Sequence, residues 1–199
     1  MTSKGAETRE RILDTAFRMA ARDGLAGLSL GELAGQLKMS KSGLFAHFGS
    51  KEELQIDLLR TGAGRFVERV MLPAFQRPRG LPRLKQIFAN WMQWANDPAL
   101  PGGCLMMAAA IELDDSEGPV RETLVALQKE FLAALGKSAL IGIEEGHLRR
   151  GLDVDQFAFE MYSILLGFNH ARRLLRDPKA EKRARDAFAR LLESSFAPD

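Results

Sequence analysis

Cysteine and long apolar stretches are scarce in this sequence. The one cysteine, Cys104, excludes a disulfide within the chain and fits a reducing compartment. The longest purely apolar run, residues 104–111, is far shorter than the ~20 residues that a membrane-spanning helix needs. The N-terminal residues have no apolar core of the kind found in secretory signal peptides. We therefore expect a cytoplasmic protein that does not enter a membrane.

Motifs of catalysis are also missing. The sequence contains no nucleophile elbow, no phosphate-binding loop and no cluster of metal ligands, and its histidines are His47, His147 and His170. We predict that the chain is not an enzyme and has no catalytic residues, no metal site and no cofactor. A helical enzyme in which Cys104 pairs with His147 or His170 is the alternative, and it requires the fold to bring these residues together.

Net charge does not classify the protein. The formal charge of the 199-residue chain is +2 at pH 7, which is too small to indicate a nucleic-acid partner. An argument for DNA binding must therefore depend on where the basic residues lie.

Apolar residues recur at helical spacing from one end of the chain to the other, which predicts an all-α fold. Gly24 supplies a C-terminal stop for the first helix. The buried face of that helix is predicted to contain Ile12, Leu13, Ala16, Phe17 and Ala20. Further helices are predicted near residues 30–37, 40–48, 51–76, 80–97, 103–113, 118–146, 154–176 and 178–196.

Serine residues mark the starts of three of these helices. Ser29 and Glu32 have the spacing of a capping box, and so do Ser50 and Glu53. Ser40 precedes the helix between them.

The helices at 30–37 and 40–48, joined by a tight turn, have the layout of a helix-turn-helix. In such a motif the second helix enters the major groove of DNA. Leu44 and Phe48 would face inward, which leaves for DNA the residues Lys41, Ser42, Gly43, Ala46 and His47. Taken singly, these residues also suit an ordinary protein surface.

The segment 8–54 contains a set of short motifs in a fixed order. They are Ala16-Phe17, Asp23-Gly24, Ser29, Glu32-Leu33-Ala34, Met39-Ser40-Lys41, Leu44-Phe45, His47-Phe48 and Ser50-Lys51-Glu52. In this order and spacing the segment resembles the DNA-binding region of the tetracycline-repressor (TetR) family.

The resemblance implies a three-helix helix-turn-helix DNA-binding domain at residues 6–52, with the helix-turn-helix at about 30–48. It also implies a larger helical domain for ligand sensing and dimerisation at residues 53–199. The DNA contacts that it implies are made by Ser29, Lys38, Ser40, Lys41, Ser42, Gly43, Phe45, Ala46, His47 and Lys51.

Three positions depart from the family's pattern. Lys38 stands where the turn usually has glycine, and a positive φ there would cost lysine on the order of 1 kcal/mol. Phe45 replaces a tyrosine that touches a phosphate, and Gly43 replaces a frequent hydroxyl residue. We therefore expect DNA shape and phosphate contacts to contribute more to recognition than base contacts.

The helix predicted at 154–176 is apolar on nearly all sides, which indicates burial on more than one side. Ser163, Gly167 and Ala171 recur every four residues and would let another helix approach closely. The predicted homodimer interface consists of Phe157, Ser163, Ile164, Gly167, Phe168, Ala171, Phe188, Leu191 and Leu192. Packing within one chain is the alternative, although two operator half-sites also call for a dimer.

Apolar and aromatic residues of the sensing half are candidates for an effector pocket, because such pockets are mostly apolar. They are Phe66, Phe75, Trp91, Trp94, Met106, Met107, Phe131 and Met161. Core packing is the alternative at each position. Asn90, Asn169 and His170 either orient a ligand or are ordinary polar residues, and Gly62 and Gly64 either form a hinge or allow close packing.

These features predict a DNA-binding transcriptional regulator, and the resemblance to the TetR family implies that it is a repressor. It would bind a near-palindromic double-stranded operator as a homodimer and be released by a small hydrophobic effector. The alternative is a regulator that responds to no ligand and is controlled by its abundance or by a protein partner.

Overall fold

The computed structural model of the chain describes residues 3–98, 100 and 103–197. Its helices are α1 (Ser3–Asp23), α2 (Leu30–Leu37), α3 (Lys41–Phe48), α4 (Lys51–Phe66), α5 (Leu72–Phe75), α6 (Leu81–Ala95), α7 (Leu105–Glu112), α8 (Pro119–Glu144), α9 (Val154–Arg173) and α10 (Ala180–Glu193). Within the described ranges there is no strand, only an isolated bridge between Leu148 and Phe196. The all-α class is therefore confirmed. No helix among these residues is long and apolar enough to cross a membrane.

The last helix begins later than the sequence indicates. The sequence predicts this helix near residues 178–196, directly after the potential capping residue Asp177, but α10 begins at Ala180. The carboxylate of Asp177 instead accepts a hydrogen bond from the backbone N–H of Lys179, at 2.9 Å, and pairs with Arg183. The carboxylate of Asp177 therefore stabilises the turn that precedes α10.

Backbone contacts divide the chain into two compact units. The first contains the described residues up to Arg65 together with those of Asp97–Leu127, and the second contains Phe66–Asn96 and the described residues from Gln128 onward. The boundaries of the domains proposed from the sequence stay a prediction.

The core of the first unit forms around α1. The predicted inward face of α1 is buried, and its Phe17 side chain is only 2% exposed. A Cβ atom at Gly62 of α4 would lie 3.1 Å from Cε2 of Phe17, so close packing explains this glycine. At Gly64 nothing lies within 4 Å of such an atom, so packing does not explain that one.

A π-helical turn, Val67–Met71, connects α4 to α5 and belongs to the second unit. Pro73 has no N–H to donate, which disfavours a regular α-helix at this point. The side chain of Asn90 donates to the carbonyl oxygen of Val70, at 2.9 Å, and accepts from Gln86 at 2.7 Å. Asn90 therefore stabilises the π turn. This supports its interpretation as an ordinary polar residue of the fold over a role in orienting a ligand.

The core of the second unit joins α6, α9 and α10. The ring of Phe88 stacks on that of Phe188 with 4.0 Å between the ring centroids. Five residues proposed for the dimer interface are buried inside this single chain, namely Phe157, Phe168, Phe188, Leu191 and Leu192. Their packing within one chain supports the alternative interpretation of these five positions.

Candidate DNA-binding surface and aromatic core

The helix-turn-helix begins with a serine cap. The hydroxyl oxygen of Ser29 accepts a hydrogen bond from the N–H of Glu32 at 3.3 Å. The carboxylate of Glu32 turns away and accepts from Arg22 and from Gln36, each at 3.3 Å. Of the two hydrogen bonds of a capping box, the one accepted by the serine oxygen is thus formed at Ser29. The corresponding bond is formed at Ser50, whose oxygen accepts from the N–H of Glu53 at 3.0 Å.

The turn between α2 and α3 depends on a left-handed residue. Lys38 has φ 54° and ψ 41°, the conformation that its replacement of a turn glycine suggested. Its N–H donates to the carbonyl of Gly35 at 3.1 Å, and the N–H of Met39 donates to that of Ala34 at 2.9 Å. These bonds satisfy the last carbonyls of α2.

Replacing Lys38 with glycine is expected to raise the free energy of unfolding by roughly 0.5–1 kcal/mol, because glycine adopts a positive φ without steric cost. Chemical denaturation of the two proteins measures the difference. Lys85→Gly is the matched control, since Lys85 is an exposed residue inside α6. There the same change should lower stability by about 1 kcal/mol. A loss of stability in both variants would contradict the strain at Lys38.

Helix α3 presents a small and polar face to solvent. The oxygen of Ser40 accepts from the N–H of Gly43 at 3.0 Å and so caps the helix. Leu44 and Phe48 are buried, as expected from the sequence. The predicted DNA-contacting residues that are exposed are Ser29, Lys38, Ser40, Lys41, Ser42, Phe45 and Ala46, and those that are half-buried are Gly43, His47 and Lys51. Their contacts with DNA stay a prediction.

The loop that leads into α2 is held from α4. The amine of Lys51 donates to the carbonyl of Ala26 at 3.1 Å, and Gln55 donates to that of Leu25 at 2.9 Å. Lys51, proposed as a phosphate contact, therefore also fixes the loop in the absence of DNA.

The end of α7 holds the same loop, which sequence reasoning missed. A carboxylate oxygen of Glu112 accepts from the N–H of Ala26 at 2.8 Å. A Cβ atom on Gly24, whose φ is +85°, would lie only 2.6 Å from the other carboxylate oxygen. The pair is separated by 86 residues, so no local pattern could reveal it.

An aromatic cluster occupies the second unit; we use this name for Phe66, Trp91, Trp94, Phe131 and Tyr162. The ring of Phe66 meets those of Trp91, Trp94 and Phe131 edge to face, at centroid distances of 5.4, 5.9 and 5.1 Å. Trp91 meets Phe131 in the same way at 4.7 Å. Tyr162, which was not among the predicted pocket residues, lies 5.8 Å from Trp91.

Two donors of this cluster have no hydrogen-bond partner among the described residues. Trp91 and Trp94 are 2% and 5% exposed, and the indole N–H of each is buried and unpaired. An unpaired buried donor costs about 1–3 kcal/mol, so it calls for an explanation such as an unseen ligand. The side-chain oxygen of Asn169 is also buried and unpaired.

The other predicted pocket residues are Phe75, Met106, Met107 and Met161. Phe75 is 40% exposed, and its ring faces the guanidinium of Arg83 at 5.9 Å. Met106 and Met107 belong to α7 in the first unit, and Met161 is fully buried in α9. The structure thus brings together four of the predicted residues, Phe66, Trp91, Trp94 and Phe131.

One face of α9 is apolar and open. Phe159 and Leu166 are 62% and 38% exposed, with Ser163 and Gly167 beside them at helical spacing. The hydroxyl of Ser163 donates to the carbonyl of Phe159 at 2.8 Å, so it brings no unsatisfied donor to this face. Nothing lies within 4 Å of a Cβ atom built on Gly167.

Comparison with known proteins gives two matches to described families. Residues 12–58 match "Bacterial regulatory proteins, tetR family", and residues 80–188 match "Tetracyclin repressor-like, C-terminal domain". A fatty acid metabolism regulator protein of Bacillus subtilis is 23% identical over 145 residues, which are 72% of each chain.

Solved structures show the same fold over nearly the whole chain. A TetR transcriptional regulator from Chloroflexus aurantiacus has a TM-score of 0.84 and 26% identity, covering 96% of this chain and 94% of that one. AibR in complex with isovaleryl coenzyme A and operator DNA has a TM-score of 0.73 and 22% identity, covering 96% and 99%.

Proposed function

Because this chain belongs to the tetR family of bacterial regulatory proteins, we propose that α3 reads a near-palindromic operator as part of a homodimer and that an apolar effector releases it. The protein is a ligand-responsive DNA-binding repressor. Chromosomal DNA as the target implies that it works in the cytoplasm. The exposed small and polar face of α3, capped by Ser40, is the observation that carries the proposal.

The face of α3 suits close approach to DNA. Lys41 and His47 supply groups that bind phosphate oxygens, whereas Ser42, Gly43 and Ala46 are small enough for the helix to lie deep in the major groove. Phe45 has no hydroxyl to donate, so phosphate binding depends on its neighbours. Contacts of this kind position the helix, and groove shape adds to the readout.

The dimer is proposed to form through the open face of α9. A two-fold symmetric interface places the same residues opposite each other, so the small side chains of Ser163 and Gly167 permit close helix contact. Phe159 and Leu166 would lose their exposure to water there. In the revised proposal for the dimer interface, the exposed residues Phe159 and Leu166 of α9 take the place of Phe157 and Phe168, which are buried.

Replacing both Phe159 and Leu166 with glutamate is expected to give a monomer, because four carboxylates would then meet across the two-fold axis. Light scattering after size-exclusion chromatography measures the mass. Leu72→Glu is the control, since Leu72 of α5 is 49% exposed and lies off this face. A double variant that stays dimeric with normal operator affinity would rule out the α9 interface.

The aromatic cluster is proposed to bind the effector. Its rings form the largest described concentration of aromatic side chains, and it contains unpaired polar groups as well as apolar surface. The Bacillus subtilis relative regulates fatty acid metabolism by its name, and the AibR complex holds isovaleryl coenzyme A. An acyl compound is the effector that these names suggest.

Glu112 is proposed to couple effector binding to the operator. Its hydrogen bond to Ala26 fixes the loop before α2 from α7, the helix that also contains Met106 and Met107, two residues predicted for the pocket from the sequence. A shift of α7 would break this bond and change the population of the DNA-binding conformation.

Selection of genomic DNA tests the proposed function. The purified protein is mixed with fragments of its own genome, and bound fragments are sequenced at several salt concentrations. We expect one near-palindromic site to be enriched and to weaken steeply with salt. Binding without any sequence preference would contradict a specific regulator.

A further inference from the structure

We propose that the indole N–H groups of Trp91 and Trp94 donate hydrogen bonds to the carbonyl or carboxylate oxygens of an acyl effector. This inference rests on the proposed function, which makes the aromatic cluster the effector site, and it specifies the chemistry of the ligand.

The first argument is the unpaired donors themselves. Both indole N–H groups are buried, and no described residue accepts a hydrogen bond from either. Trp91 and Trp94 are three positions apart and so lie on the same side of α6. Folded proteins leave very few buried donors unpaired. Two such donors in one aromatic cluster point to an acceptor supplied from outside the chain.

The second argument concerns the ring faces. An aromatic site for a cation presents free ring faces to it. In this cluster, edges of neighbouring rings already cover ring faces, with interplanar angles of 80° for Phe66–Trp91 and 86° for Trp91–Phe131. A cation would also leave both indole donors unpaired, whereas an oxygen acceptor pairs with them.

The third argument concerns the face of Trp94. The guanidinium of Arg69 lies over this ring, 5.9 Å from its centroid. A cationic ligand would have to compete with Arg69 for the same face. Contact of an apolar acyl chain with the aromatic rings would remove apolar surface from water, which is favourable. A free acid and a coenzyme A thioester share this oxygen, so the experiment has to separate them.

The chain offers a direct probe, because Trp91 and Trp94 are its only tryptophans. Protein labelled with ¹⁵N-tryptophan gives two indole N–H signals by NMR, which the Trp91→Phe and Trp94→Phe variants assign. The probes are isovalerate, octanoate, the coenzyme A thioesters of both acids, and octyltrimethylammonium as a cation without an acceptor.

We expect at least one acyl probe to shift both indole proton signals downfield, and octyltrimethylammonium to leave them in place. A response to free acids only, or to thioesters only, identifies the source of the acyl oxygen. Signals that no acyl probe moves, or that the ammonium probe moves equally, would overturn the inference.

The phenylalanine variants keep a ring while removing one donor. Each is expected to weaken binding of the active acyl probe by roughly 5- to 10-fold, the worth of one hydrogen bond. Unchanged acyl affinity in both variants would overturn the inference, and the wild-type NMR result decides it if a variant fails to fold. If the protein binds its operator but shows no indole response, only this inference is refuted. If it binds no operator, the proposed function is refuted.

Discussion

Replacing Lys41 and His47 together with alanine is expected to reduce operator affinity by on the order of 100- to 1,000-fold. Each side chain occurs twice in a dimer, so the double variant removes four candidate phosphate contacts. Loss of the Lys41 contacts should also make the slope of log K against log salt shallower by about 2, since each contact contributes about 0.9. Fluorescence anisotropy with the selected operator measures both quantities.

The control for this variant has the same composition. Lys85 and His170 are exposed and belong to the second unit, whereas the helix-turn-helix belongs to the first, so their joint replacement by alanine should leave operator affinity nearly unchanged. Equal losses in the two double variants would mean that general positive charge binds DNA. No loss in the Lys41 and His47 variant would mean that α3 is not the reading helix.

Replacing Phe66 with alanine is expected to lower the free energy of unfolding by about 3–5 kcal/mol, the usual cost of truncating a buried phenylalanine. Phe66 is 8% exposed and touches three other rings of the aromatic cluster. Each aromatic pair adds to the loss beyond the buried area. Thermal unfolding should show a midpoint lower by roughly 6–20 °C.

Phe75→Ala is the matched control because it removes the same atoms from a ring that is 40% exposed. Its cost should stay below about 1 kcal/mol, as is usual for surface changes. If both variants lost stability equally, the separation of Phe66 and Phe75 into core and surface would be incorrect. A small loss for Phe66 with complete loss of acyl binding would mean that its ring serves the effector more than the fold.

Helix positions followed closely from local patterns. The inward face of α1, the ends at Gly24 and the starts near Ser29, Ser40 and Ser50 depend on residues within a few positions of each other, and the structure confirms them. Asp177 shows the limit of this reasoning. Its carboxylate has two competing uses within one turn, and a pattern cannot say which geometry is lower in energy.

The candidate sites were predictable to different degrees. Leu44 and Phe48 are four positions apart and mark the buried face of α3. Helical spacing then assigns the remaining residues to the exposed face. The dimer residues were harder, because α9 is apolar on several sides and the spacing is the same for Phe157, which is buried, and Phe159, which is exposed. The packing of α6, α8 and α10 against α9 distinguishes those faces.

The sequence by itself determined most of the helices, the serine caps and the helix-turn-helix, because each depends on interactions between residues close in the chain. The π-helical turn inside the helix predicted at 51–76 was not foreseen. Tertiary structure alone decided which aromatic residues meet, and it alone paired Glu112 with Ala26. Such contacts join residues far apart in sequence, and their energy depends on burial and distance after the helices have packed. The unpaired indole donors of Trp91 and Trp94 belong to this second kind, since a hydrogen bond is missing only where packing has already excluded water.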